Sequence, residues 1–334
     1  MNLNNLGNEL GTRFYRIGAM NDINRAVEVA DIVVKATPHD HSNRAIYLNS
    51  LGSWLSTRLE RTGSIDDLDY AVKVADMIVD VTPQDHPNRA IYLRSLGDLL
   101  GIRSGRTGSM DDLNRAVEVA DMAVDVTPQD HPNRAVYLNS LGNNLGTRFE
   151  RTGSIEDFYR RLSCFEKGWA CRASPPSIRI TSARHAAIIF SSQLMFEDAS
   201  SLLEGAVKLL PIVSPQALAN NDKQYILGQF SGLASMAAAL ALEVGKDAYQ
   251  ALELLELGRC IITGLLLEIR IDISDLQQQH PTLAEEFISF RNKLDSPPSI
   301  AILLDNAASS WKLQANRQFQ ADERLKELII EICS

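Results

Sequence analysis

The sequence predicts an all-α fold: a solenoid of stacked antiparallel helix pairs, followed by a less regular helical region. Three observations carry that expectation. The chain repeats every 45 residues: residues 43–87 and 88–132 are identical at 33 of 45 aligned positions, and a third copy opens at Asn133. Within each copy apolar residues recur at spacings of three and four, as on an amphipathic helix, and strand-like alternation is absent through residue 157. Each copy is also punctuated twice, by Thr-Gly-Ser and by a proline-rich turn, so it holds two helical segments. Repetition at this period marks units that bury their apolar faces only by stacking on neighbours.

The unit 88–132 shows the elements in order. His86-Pro87-Asn88 opens the first helix, with Pro87 placed in its first turn. Ala90, Leu93, Leu96, Gly97 and Leu100 form its inner stripe. Gly108 ends it in the left-handed conformation that glycine adopts freely. Ser109 and Asp112 resemble a capping box and start the second helix. Leu113, Ala116, Val117, Ala120 and Val124 are its buried face, and Pro128 stops it. NLNNLGNELGTRF at residues 2–14 is the corresponding stretch of an earlier unit, so four units are expected over residues 1–157. That unit lacks the Asn-Arg-Ala opening and a polar capping repeat, so it is expected to be truncated and to fray.

Beyond residue 157 the strict period fades while helical spacing persists. Residues 158–295 read as an irregular helical region. Leu162, Phe165, Trp169 and Cys171 mark one amphipathic segment, 178–194 and 198–212 a helix pair, and 222–244 and 247–271 two longer helices. The first of these longer helices is nearly all apolar or small, which predicts deep burial; its alanines 234, 237, 238, 239 and 241 invite a close neighbour. A connector and helix over 272–295 follow, then a Ser-Pro-Pro-Ser boundary and a terminal helical segment in 300–334.

The chain has 334 residues, 45% of them apolar and 22% charged, which suits a folded soluble protein. A net charge of −9 argues against a nucleic-acid partner, and weakly against an anionic membrane surface. The N-terminus has no basic and apolar signal-peptide pattern, and no apolar run approaches the ~20 residues of a membrane span. Cysteines 164, 171, 260 and 333 form no ligand pattern and read as idle thiols of a reducing compartment. The expected location is cytoplasmic.

Leu96-Gly97, the Ala116–Ala120 pair and Pro128 stand in the order of the tetratricopeptide repeat, with about seven extra residues before Ala116 and about four after Pro128. The chain therefore resembles an elongated tetratricopeptide variant, which implies a right-handed superhelix. Five strings extend the likeness over the second half: CFEKGWACRASPPSIRI (164–180), DASSLLEGAVKLLPIVSP (198–215), FSGLASMAAALALEVGK (230–246), ALELLELGRCIITGLLLEIRIDISDL (251–276) and HPTLAEEFISFRNKLDSP (280–297). With them the chain resembles the helical N-terminal part of fungal tetratricopeptide proteins that carry a C-terminal CHAT domain, a caspase-like fold. The resemblance implies that the catalytic His and Cys of such a domain lie beyond Ser334. Cys260 stands where the family more usually has glycine, and Cys333 is next to the chain end, so neither is expected to be a nucleophile. A regulatory part of a caspase-like protease, or a truncated relic, is the alternative to an interaction module.

Three sets of repeated residues are candidates for function. His41, His86 and His131, beside Asp40, Asp85 and Asp130, are either a metal array or capped turns. Equivalent residues of stacked pairs lie ~10 Å apart, too far to share one ion, which favours turns. Arg13, Arg58, Arg103 and Arg148 are either a positive ladder for an acidic peptide or cations that offset the helix dipole. The third set is polar and varies while the core does not: Asn4, Asn49, Arg94 and Asn139, with Asn8, Ser53, Asp98 and Asn143. By the resemblance these first-helix positions face the concave groove. They are either the contact surface for a protein or peptide, held through amide donors and acceptors, or an ordinary solvated face. No phosphate-binding, hydrolase or metalloprotease motif occurs, and no enzyme activity, cofactor or metal is expected.

Overall fold

The computed structural model describes residues 3–39, 41, 43–213, 230–270, 281, 282, 285, 286 and 289. Among them every regular element is a helix. The chain divides into two compact units, Met1–Ser182 and Ala183–Ser334.

The first unit is a tetratricopeptide-like array of four helix pairs: α1 (Leu3–Ile17) with α2 (Met20–Ala36), α3 (Arg44–Thr62) with α4 (Ile65–Val81), α5 (Arg89–Thr107) with α6 (Met110–Asp125), and α7 (Arg134–Thr152) with α8 (Ile155–Ala170). Each helix packs on its partner, and each second helix on the first helix of the next pair. Leu93, Leu96, Leu100, Ala116, Val117 and Ala120 are buried in one cluster with Val72, Leu138, Leu141 and Leu145 of neighbouring pairs, and Leu113 is fully buried as well. The predicted stripe is thus shared between repeats, so the units bury their core together. The glycine after the inner leucine allows close contact inside the third and fourth pairs: a Cβ on Gly97 would stand 3.2 Å from Val119 and one on Gly142 2.8 Å from the ring of Phe165, whereas Gly52 at the same place in the second pair has room.

The punctuation behaves as the sequence indicates, with two amendments. Gly18, Gly63, Gly108 and Gly153 end the first helices with φ of 74°, 67°, 78° and 69°. Ser64, Ser109 and Ser154 accept the N–H of Asp67, Asp112 and Asp157 at the starts of the second helices. The reciprocal half of the capping box is absent: the serine N–H donates to Thr62, Thr107 or Thr152, because the aspartate turns toward an arginine. The first helix also begins at Arg89 rather than Pro87. His86 Nδ1 accepts the Asn88 N–H at 3.1 Å and holds Pro87-Asn88 as a turn.

The boundary expected at residue 157 falls inside α8, which completes the fourth pair, and the division by contacts lies after Ser182. It cuts α9 (Pro176–Ser192). In the second unit α10 (Phe196–Val213), α11 (Leu233–Glu243) and α12 (Ala248–Arg270) pack together. The helix expected from residue 222 begins at Leu233, after Gly232 at φ 79°; residues 214–229 lie outside the described ones. Its burial is one-sided. Leu233, Ala237, Ala238 and Ala241 are buried, whereas Ala239 and Leu242 are exposed. Ala234 does allow a close neighbour, since its Cβ sits directly against Gly258. The expectations for 272–295 and 300–334 lie outside the described residues, apart from isolated positions of the former.

Candidate functional site: the first-helix face of the array

The arginine ladder is neither a peptide-binding strip nor a set of free terminal cations. Arg58, Arg103 and Arg148 each clamp an aspartate of the second helix through Nε and a terminal nitrogen: Asp67 at 2.9 and 2.5 Å, Asp112 at 2.7 and 2.6 Å, Asp157 at 2.8 and 2.7 Å. Arg13 pairs with Asp22 in the same way. These fork-to-carboxylate contacts join the two helices of a pair. The hydrogen bond that Arg103 donates to Asp112 raises the arginine's pKa, as the bond from Arg148 to Asp157 does for Arg148. A nine-residue Arg–Asp spacing that recurs every 45 residues was the signal that could have found them.

The histidines belong to the turns. His41, His86 and His131 accept the N–H of Asn43, Asn88 and Asn133, and their rings lie beside Tyr47, Tyr92 and Tyr137. No group of three potential metal ligands comes together among the described residues. Burial pushes the Cys164 thiol up to about 11, which holds it protonated and unreactive at neutral pH.

Sequence reasoning missed two further ladders. Arg44, Arg89 and Arg134, buried or nearly so, donate to the last carbonyls of the preceding second helix; Arg89 reaches Val79 O at 3.0 Å and also Thr82 O. Second helices are tied across repeats by Arg115 to Asp76, Arg160 to Asp121 and Tyr70 to Asp31. Together these fix how one pair lies on the next.

The variable polar positions separate into three groups. Asn8, Asn49, Ser53 and Asn143 are exposed, and Asn4 is half-buried. Arg94 and Asp98 pair with each other at 3.1 Å, and Asp98 also accepts from Ser140 at 2.5 Å, so both are tied to the array. Asn139 does not belong to a contact surface. It is buried, donating to Ile178 O at 3.4 Å and accepting from Ser182 at 2.8 Å, because the start of α9 covers this place on the last pair.

Asn49 and Ser53 line a cleft of about 290 Å³ between α3 and α5. Ala71, Ala75 and Ile78 of α4 also line it, with Gly52, Ser56, Tyr92, Ser95 and Leu99. The other two seams between first helices show why it is there. At the first, the Trp54 indole lies directly on bare Gly11; at the third, a Cβ on Gly101 would stand 2.7 Å from Asn144 Oδ1. α1 meets α3 and α5 meets α7 in this way, and both do so more extensively than α3 meets α5. The middle seam has Leu99 as its plug and Ser56 in place of the glycine. A side chain where the plug needs a bare backbone keeps the helices apart. The side chains of Asn49 and Ser56 make no contact with the rest of the described structure that would occupy their donors and acceptors.

No family model and no curated protein matches the chain. Solved structures similar to it include a putative kinesin light chain of Podospora anserina with nearly identical TPR-like repeats (20% identical, TM-score 0.45, 62% of this chain and 95% of that one). Others are BtubC of P. vanneervenii (14%, 0.49, 79% and 92%) and the S. pombe nuclear import adaptor Nro1 (13%, 0.44, 79% and 92%). At these values the likeness carries no argument about what the chain binds.

Proposed function

We propose that the array is a non-enzymatic interaction module that binds a peptide or protein segment along its first-helix face, centred on the α3–α5 cleft. The observation that carries the reading is that, of the three seams between first helices, the middle one has no plug seated on a bare glycine and is lined by the amide of Asn49 and the hydroxyls of Ser53, Ser56 and Ser95. Asn8 and Asn143, both exposed, extend the same face to either side. Clefts with an apolar floor and a few convergent polar groups are the usual form of a binding site. The ladders support the reading by holding the face rigid, which lowers the ordering cost of binding. The acidic balance and the absence of a basic stripe favour protein over nucleic acid as partner. No helix of the described residues is long and apolar enough to cross a membrane.

The test is selection of random displayed peptides on the whole chain, followed by binding to Gly52→Leu. A Cβ at Gly52 meets only Val74 Cγ1, at 3.6 Å, so the first atom of the added side chain has room, and circular dichroism checks that the helix pair survives the rest. Selected peptides are expected to lose at least about tenfold in affinity, roughly 1.4 kcal/mol. Peptides that bind the filled variant as well as the parent would overturn the cleft as the centre of the site.

A further inference from the structure

The two plugged seams show what the open one lacks. Each plug lies 43 residues after its seat: Trp54 on Gly11, Asn144 on Gly101, and Leu99 opposite Ser56. Trp54 shows that an indole is the right size to bridge two first helices of this array. Leu99 is smaller, the seat carries the Ser56 side chain in place of a glycine, and about 290 Å³ remains between helices that elsewhere meet side chain on glycine.

The walls state what fits. All ten residues around the cleft are uncharged, and the adjacent Arg94–Asp98 pair is closed on itself. A charged side chain entering here loses its water and gains no counter-charge. Ala71, Ala75, Ile78 and Leu99 offer apolar area, with the Tyr92 ring at one wall. Asn49, Ser53, Ser56 and Ser95 offer oxygen acceptors. That combination matches a side chain that is large and flat and carries a single donor. Buried tryptophan and tyrosine need a partner for N–H or O–H. Trp54 itself has none, its Nε1 being buried without an acceptor.

We infer that the α3–α5 cleft receives one tryptophan or tyrosine side chain from an uncharged stretch of the partner, in place of the plug the chain supplies at its other seams, and that Ser56 is the residue that keeps this seam open. This rests on the reading of the first-helix face as the binding surface. It adds the chemical class of the anchor and the residue that selects for it.

The experiment titrates N-acetyltryptophanamide and N-acetylleucinamide into the full-length chain and follows backbone amide shifts by NMR. The tryptophan probe is expected to shift amides of residues 49–56 and 92–99 saturably, with an affinity on the order of 1–10 mM, as suits one side chain. It is expected to bind at least about fivefold tighter than the leucine probe, whose side chain has no donor for the cleft's oxygen acceptors. Ser56→Gly, which lets Leu99 approach the α3 backbone, is expected to abolish these shifts, and Gly52→Leu does the same should Ser56→Gly not fold. Tighter binding of the leucine probe overturns the aromatic class and leaves the surface reading intact. Shifts that persist in both variants overturn the seam as the site. If neither probe shifts these amides the inference falls, and the broader reading is judged by the selected peptides alone.

Discussion

Replacing Arg148 by methionine removes one clamp and keeps most of the packing volume. The change leaves the Asp157 carboxylate, with only 4% of its side chain exposed, facing an apolar thioether. Two unit charges about 4 Å apart attract by about 4 kcal/mol at an effective dielectric of 20, before desolvation is charged against the pair. Exposed pairs are worth about 0.2–1 kcal/mol, and breaking a fully buried pair costs about 3–5 kcal/mol. Arg148 keeps 20% of its side chain in solvent, so the clamp lies between these limits. Arg148→Met is therefore expected to destabilise by about 2 kcal/mol. Asp157→Asn should cost less, since the Ser154 cap is made by the Asp157 backbone N–H and survives. A double-mutant cycle should return a coupling of about 1.5 kcal/mol. Urea unfolding followed by circular dichroism measures the total. Repeat arrays open in parts, so amide exchange across α7 and α8 is read alongside. A single-mutant loss under about 0.5 kcal/mol, or a coupling near zero, would show that the four clamps are solvated surface pairs and that core packing alone orients the helices.

Two glycines three residues apart should respond oppositely to alanine. Gly105 is in the last turn of α5 and a Cβ there meets nothing within 4 Å, so Gly105→Ala should stabilise by about 0.5 kcal/mol; Gly108 has equal space but φ of 78°, so Gly108→Ala should cost about 1 kcal/mol. Equal signs in thermal denaturation would refute the backbone argument. In the second unit, hydrogen bonds from Lys208 and Lys246 hold the Glu204 carboxyl down to about 2, against an ordinary 4.5. The depressed folded value means this cluster's stabilisation is complete above pH 4.5 and is lost as pH falls toward 2. Carbon-detected NMR titration should place the Glu204 midpoint well below 4.5, and Lys246→Gln should move it up. An unmoved midpoint would show that Lys246 takes no part.

Much of this fold is written locally. The 45-residue period, the glycine ends and the serine caps depend on contacts within four residues or on a stripe that repeats along one helix, so they are visible in sequence. By local sequence Asp112 is half of a capping box, because Glu or Asp three residues after a serine has that meaning. Its carboxylate instead answers Arg103 nine residues earlier, across the helix pair. Asn139 belonged by register with Asn49 but is covered by the start of α9, which follows no repeat and so left no periodic signal. The buried Arg89 gave no sign of its place, since arginine is usually solvated; its carbonyl partners are the orphans at the end of the preceding helix.

The sequence by itself determined the all-helical repeat, the positions of its turns and which faces are apolar, because periodicity and capping are properties of neighbouring residues. Only the tertiary structure decided which variable positions remain free. That depends on pairs 43 residues apart, where the size of a plug in one repeat meets the presence or absence of a Cβ in another. Trp54 on Gly11 closes a seam, and Leu99 opposite Ser56 leaves one open. Neither residue is distinctive alone, and the difference between a sealed seam and a cleft of about 290 Å³ is made by their steric fit across the stack.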